Sequence, residues 1–281
     1  MSWQQYHVIA SGRPHTVTGD VQVWAGLESP QLGNSRDILV YLPPSYWARQ
    51  ARRYPVLYMH DGQNLFDEAT SFAGEWRVDE TMEALAKEGA EAIVVGVPNA
   101  GAARRDEYSP HRDRRLGGGR GDLYLAFLLD TVKPLIDRSF RTDASRAATG
   151  LMGSSMGGLI SLYGFFARPA AFGFAGVMSP ALAFAQGRML AYVQKQLPLL
   201  GRIYLDMGAA EGSEPAKMTP AHRAYLTRSA TLDGELYALL VEKGYRPGRD
   251  IRYLREEGAL HNEAAWSARL PGALRFLLAE R

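Results

Sequence analysis

Ala147-Ala148-Thr149-Gly150-Leu151-Met152-Gly153-Ser154-Ser155-Met156-Gly157-Gly158 carries a short apolar run straight into a Gly-x-Ser-x-Gly pattern, and a second apolar stretch continues to Ala167. The run over Ala147 to Leu151 predicts a buried strand and Met156 to Ala167 predicts a helix, so the chain reverses sharply between them. A turn of that kind holds its central residue, Ser155, in a strained backbone conformation with the hydroxyl exposed. Glycines on both flanks remove Cβ atoms that would crowd it. Ser155 stands at the mouth of the helix, where the backbone N–H of Met156 can face a developing oxyanion with help from the helix dipole. Ser155 is therefore the candidate nucleophile and Met156 a candidate oxyanion donor.

Outward from this stretch, short continuous apolar runs alternate with longer amphipathic segments, the pattern of a parallel sheet with crossover helices. Buried strands are expected at Val56 to Met59, Ala92 to Val97, Phe174 to Met178, Ile203 to Asp206 and Ile251 to Leu254. Helices are expected at Val78 to Lys87, Leu123 to Asp137, Arg188 to Gln196, Ala221 to Glu242 and Asn262 to Ala279. The β-branched runs Thr16 to Thr18, Val21 to Trp24 and Asp37 to Leu42, the last closed by Pro43-Pro44, read as antiparallel edge strands. Leu116 to Gly121 reads as a flexible loop before a helix, since no Gly-Lys-Ser/Thr follows it. The fold class is α/β: an α/β-hydrolase fold with a mostly parallel sheet, helices on both faces and antiparallel strands at the N-terminal edge, in a single domain spanning 1–281.

A serine hydroxyl needs a base, and only His222 and His261 lie downstream of Ser155. His222, at the start of a polar helix, reads as a surface residue. His261 follows the last expected strand, where the chain order serine, acid, histidine places the base. The acid belongs on the loop after Ile203-Tyr204-Leu205-Asp206-Met207-Gly208-Ala209-Ala210-Glu211. Asp206 still sits in the apolar run and Gly208 marks the turn, so Glu211 is the expected acid, with Asp206 and Glu214 as alternatives. A second oxyanion donor is expected from His60-Asp61-Gly62-Gln63-Asn64, namely the N–H of Gln63 or Gly62, while His60 and Asp61 read as buried loop polars or as packing beneath the site.

The 281 residues include 46% hydrophobic and 22% charged ones, an ordinary globular composition. With Lys plus Arg at 32 against 30 Asp plus Glu, no strong field draws nucleic acid or an anionic membrane. The chain has no cysteine, which removes disulfides, thiolate metal sites and a cysteine nucleophile. No metal-ligand spacing accompanies His60 and Asp61, so neither metal nor cofactor is expected. The start carries no basic flank followed by an apolar run, and the expected location is cytoplasmic.

The chain resembles the putative-esterase group of α/β-hydrolases, which includes enterochelin esterases, feruloyl esterases and S-formylglutathione hydrolases. The resemblance rests on Leu57 through Asp67, on Trp76 with Asp79, on Val94 through Asn99, on Arg105 through Pro110, on the Ser155 motif and on Gly258 through Trp266. It implies a cofactor-free ester hydrolase with little or no lid. The group also tends to place its acid three residues after a glycine such as Gly208, as at Glu211. The absence of cysteine departs from the glutathione-linked branch. The loop after Val97, with Asn99, Arg104, Arg105 and Tyr108, should run along the C-terminal edge of the sheet, Trp76 should approach the same edge and Gly62 lets the backbone near the substrate, which makes Gly62, Trp76, Arg105 and Tyr108 candidate substrate contacts for a small or aryl ester. An acyltransferase with the same triad and a non-catalytic binding protein on a hydrolase scaffold are the alternatives.

Overall fold

The computed structural model describes residues 2–6, 15–213 and 218–279, so Glu214 lies outside the described residues. Its nine-stranded sheet is built from β1 (Gln4–Gln5), β2 (Asp20–Ser29), β3 (Asn34–Leu42), β4 (Val56–His60), β5 (Ile93–Val97), β6 (Thr149–Ser154), β7 (Phe174–Met178), β8 (Arg202–Gly208) and β9 (Ile251–Glu256). The spatial order is β1-β2-β3-β5-β4-β6-β7-β8-β9. β1, β2 and β3 pair antiparallel, β3 is antiparallel to β5, and from β5 to β9 every neighbour is parallel.

Alternation along the strands divides the core between the two faces of the sheet. Leu57, Met59, Val94, Met152 and Tyr204 pack with residues of α1 (Val78–Ala86) and with Trp266, Leu270 and Leu274 of the C-terminal helix, Glu263–Leu278. Val56, Tyr58, Val95, Leu151 and Leu205 face the other helices: α2 (Gly121–Phe127), α3 (Lys133–Ser139), α4 (Met156–Ala167), α5 (Arg188–Lys195) and α6 (Pro220–Glu242). The C-terminal helix is α7. Asn262 caps it, its side chain accepting the Ala265 N–H at 3.0 Å.

The expected helix over Leu123 to Asp137 is present but divided, because Leu128–Val132 form a π turn between α2 and α3. Pro134 has no N–H for the regular ladder at this point. The expected strand at Thr16 to Thr18 is absent. Its polar groups bond carboxylates instead of a neighbouring strand: Thr16 Oγ1 donates to Glu75 at 2.8 Å and the Thr18 N–H to Asp79 at 2.6 Å. Strand β6 starts two residues later than the apolar run suggests and extends to Ser154, since Gly153 and Ser154 pair with Val177 and Met178 of β7. The glycine stretch is pinned rather than loose. Gly117–Gly118 pair with Arg112–Asp113, and the Gly119 and Gly121 N–H groups both reach the Ser109 carbonyl at 2.9 Å. Among the described residues no helix is long and apolar enough to cross a membrane.

Candidate active site

The loops that follow the parallel strands converge at the C-terminal edge of the sheet. Ser155 follows β6, the Asp61-Gly62-Gln63 turn follows β4, Ser179 follows β7, Glu211 follows β8 and His261 follows β9.

Ser155 precedes α4 with φ 55° and ψ −118°, a conformation that L-residues rarely adopt. Its own backbone holds it there: the Ser155 N–H donates to Met178 O at 3.0 Å, and its carbonyl accepts the Ala181 N–H at 2.9 Å. Gly153 is required at the base of the turn, because a Cβ there would stand 2.9 Å from the Gly157 carbonyl carbon and 3.0 Å from the His60 ring.

His261 Nε2 lies 3.0 Å from Ser155 Oγ, and His261 Nδ1 lies 2.7 Å from Glu211 Oε2. An ionised carboxylate only accepts, so Nδ1 carries the proton and Nε2 is left to accept from the serine hydroxyl. The imidazole is 15% exposed and the Glu211 side chain 0%, so the histidine reaches solvent while the acid does not. Burial pushes the Glu211 carboxyl up, but hydrogen bonding and charge from His261, the Ser179 hydroxyl and the Gly208 N–H outweigh it and hold it below its ordinary range. Asp206 is elsewhere: it points into the core and pairs with Arg269 Nε at 2.9 Å. Burial raises it to about 6 against the pull of that arginine.

Beneath the serine turn, His60 is buried with Nδ1 2.8 Å from the Tyr124 hydroxyl. Burial pushes its pKa down to about 3, so it is neutral at ordinary pH. Gln63 is half-buried, its side-chain oxygen accepting the Asn99 N–H at 3.2 Å. Met156 heads α4.

The expected substrate contacts fare unevenly. Gly62 is buried against β5, where a Cβ would stand 2.7 Å from the Gly96 carbonyl carbon and from Pro98 N, so close backbone packing is why glycine stands there. Trp76 is a core residue whose ring packs, tilted, 5.8 Å from that of Trp266, which in turn stands edge-on to the His261 ring. Tyr108 is fully buried, and its hydroxyl oxygen accepts the Asp61 N–H at 3.1 Å. These three pack and brace the site without offering a free face to a substrate. Arg105 is exposed and donates to the Leu116 carbonyl. Its neighbour Arg104 turns toward the site, gripping both Asp61 oxygens at 2.7 Å, while Asn99 Nδ2 donates to Asp61 Oδ1 at 2.7 Å. Phe72, 92% exposed, projects from the loop that Thr70 ties to the Gln63 carbonyl.

Sequence reading missed Ser179, which bonds Glu211, Trp266 and Arg269, which bond Ser179, and Glu263, whose pKa burial and the Asp61 charge raise. The Ser-Pro pair 179–180 at the end of β7 was the available signal. Among the described residues one group could hold a metal ion, Glu75, Asp79 and Glu80, with ligand atoms within 4.8 Å of one another, and none of Ser155, His261 and Glu211 belongs to it. A cavity of about 780 Å³ along α6 from Met218 to Glu235 also lies apart from these residues, whereas one of about 380 Å³ backs onto Glu211 beside Arg223 and Arg255.

The chain is similar to several known proteins. An uncharacterized protein, YbbA, of Bacillus subtilis is 26% identical over 257 residues, 89% of this chain and 95% of that one. The siderophore triacetylfusarinine C esterase of Aspergillus fumigatus is 31% identical over 148 residues, 50% of this chain and 49% of that one. Among solved structures, the siderophore hydrolase EstA of Aspergillus nidulans superposes with a TM-score of 0.70 at 17% identity, covering 98% of both chains. A ferulic acid esterase superposes with a TM-score of 0.64 at 18% identity, covering 92% of this chain and 98% of that one. The sequence profile described as "Putative esterase" matches residues 29–277, nearly the whole length, and the chain therefore belongs to the putative-esterase family, as a hydrolase of the carboxylesterase type.

Proposed function

We propose that this protein is a serine-dependent carboxylic-ester hydrolase that works through an acyl-enzyme, with Ser155 as nucleophile, His261 as base and Glu211 as the acid that orients it. The observation that carries this reading is the continuous line from Glu211 through His261 to Ser155, at 2.7 and 3.0 Å, ending on a serine at positive φ. His261 Nε2 takes the Ser155 proton as Oγ bonds the ester carbonyl carbon. The backbone N–H groups of Met156 and Gln63 hold the oxyanion. The carbon–oxygen bond to the alcohol then breaks and the alcohol leaves with the proton from His261. Water repeats the sequence on the acyl-enzyme, giving the free acid and restoring Ser155.

The substrate is a small or aryl ester. The siderophore esterases and the ferulic acid esterase among the similar proteins support a bulky or aromatic acyl group, and Phe72 supplies an exposed aromatic face on the loop tied to Gln63. Arg104 is committed to Asp61, so the exposed Arg105 is the cation we assign to a carboxylate or catecholate on the substrate. A screen of p-nitrophenyl esters of graded chain length, beside methyl ferulate and a catecholate siderophore ester, identifies the class. Ser155→Ala tests the mechanism: kcat should fall by roughly a thousandfold or more with the fold intact. A folded Ser155→Ala protein that keeps more than about a tenth of wild-type kcat overturns the reading.

A further inference from the structure

We propose that Ser179 is a positioning residue that aims the Glu211 carboxylate at His261, its hydroxyl proton being directed by Trp266 and Arg269, and Arg269 being held in turn by Asp206. This rests on the triad reading above and adds to it residues that touch neither substrate nor His261 Nε2.

A serine hydroxyl has one proton to donate and two lone pairs with which to accept. Ser179 Oγ lies 3.0 Å from Trp266 Nε1 and 2.9 Å from Arg269 Nη2. Indole and guanidinium nitrogens only donate, so these contacts occupy the lone pairs. The proton is left to point at Glu211 Oε1, 2.5 Å away, the short distance of a hydroxyl bonded to a carboxylate. Oε1 also accepts the Gly208 N–H at 3.0 Å, so this oxygen is pinned and Oε2 is presented to His261.

The backbone around Ser179 is arranged for the same end. Ser179 has φ 40°, and its N–H reaches both the Asp206 carbonyl at 2.9 Å and Asp206 Oδ1 at 3.0 Å. A non-glycine residue stays in that conformation only where its surroundings force it, and such positions collect at functional sites. Two residues on, the Ala181 N–H bonds the Ser155 carbonyl at 2.9 Å, so one short segment braces the acid at one end and the nucleophile at the other. Asp206 and Arg269 are almost wholly buried and neutralise each other. The guanidinium therefore orients the hydroxyl without placing an unbalanced charge beside Glu211.

The test compares Ser179→Ala and Ser179→Gly with the wild-type chain on p-nitrophenyl acetate over a range of pH. Both variants remove the hydroxyl, while glycine adopts positive φ without strain and so guards against a simple folding failure. We expect kcat to fall about ten- to a hundredfold in both, the span of a hydrogen bond to a charged group, with KM little changed. Losing the donor leaves the Glu211 charge less shared and more concentrated toward His261, so the acid limb of kcat/KM should move to higher pH. Wild-type kcat and an unmoved limb in either folded variant would overturn the proposal. So would a loss of kcat with the limb unmoved, which marks a structural role only. Ser155→Ala, run alongside, separates the two readings: activity in that variant sinks the triad itself, whereas an inactive Ser155→Ala beside unaffected Ser179 variants sinks only the role of Ser179.

Discussion

Glu211 and Asp79 are both buried acids in one fold, and their surroundings drive them in opposite directions. Glu211 Oε1 accepts from Ser179 and Gly208 and Oε2 from His261, and its pKa is lowered although burial alone would raise it. Asp79 is fully buried, accepts the Thr18 N–H on Oδ2 and has no partner on Oδ1. Burial, with Glu80 beside it, raises its pKa to about 8, and Glu75, whose Oε1 also lacks a partner, goes up to about 7. Depth in the protein is shared; the supply of donors differs. Asp206 stands between them, raised to about 6 despite donors on both oxygens, because it is fully desolvated and has only one countercharge.

Asp206→Asn should break the buried pair with Arg269 and cost about 3–5 kcal/mol of stability, since an uncompensated guanidinium stays in the core. Denaturant unfolding measures it. A loss below about 1 kcal/mol would mean that the pair does not support the fold as its burial suggests. Glu211→Gln keeps the shape but removes the charge facing His261, so kcat should drop at least about a hundredfold while the unfolding midpoint moves little. A folded, inactive Asp206→Asn beside a working Glu211→Gln would reverse the roles assigned to the two acids.

Asp79 offers the most pH-dependent effect. Its folded pKa of about 8 lies above its ordinary value of 3.8, so the stability it contributes is complete below about 4 and is lost as pH rises through about 8. Asp79→Asn can still accept from Thr18 and carries no titrating proton. It should therefore flatten the decline of stability between pH 4 and 8 and leave the mutant the more stable protein at the alkaline end. Equal slopes of stability against pH in mutant and wild type would show that Asp79 meets its charge some other way.

The strand-turn-helix around Ser155, the run of parallel strands and the positions of the helices were readable because each is set by residues within a few places of one another. Apolar periodicity and glycine placement act over one turn or one strand. The same range explains the errors. Thr16 to Thr18 has strand-forming residues, yet its partners are Glu75 and Asp79, some sixty positions away. Nor could local pattern tell Arg104 from Arg105, since only the curl of the Arg104–Glu107 turn decides which guanidinium meets Asp61.

Sequence by itself determined the fold class and the serine turn, because these depend on backbone geometry that local residues impose. Only the tertiary structure decided which carboxylate reaches His261 and what holds it. Asp206 and Glu211 are five residues apart, but strand register sends the first to Arg269 and the loop beyond Gly208 brings the second to His261 and Ser179. Ser179 and Arg269 are separated by 90 residues and meet only because β7, β8 and α7 pack together, so their joint grip on Glu211 leaves no mark in any stretch of sequence short enough to read.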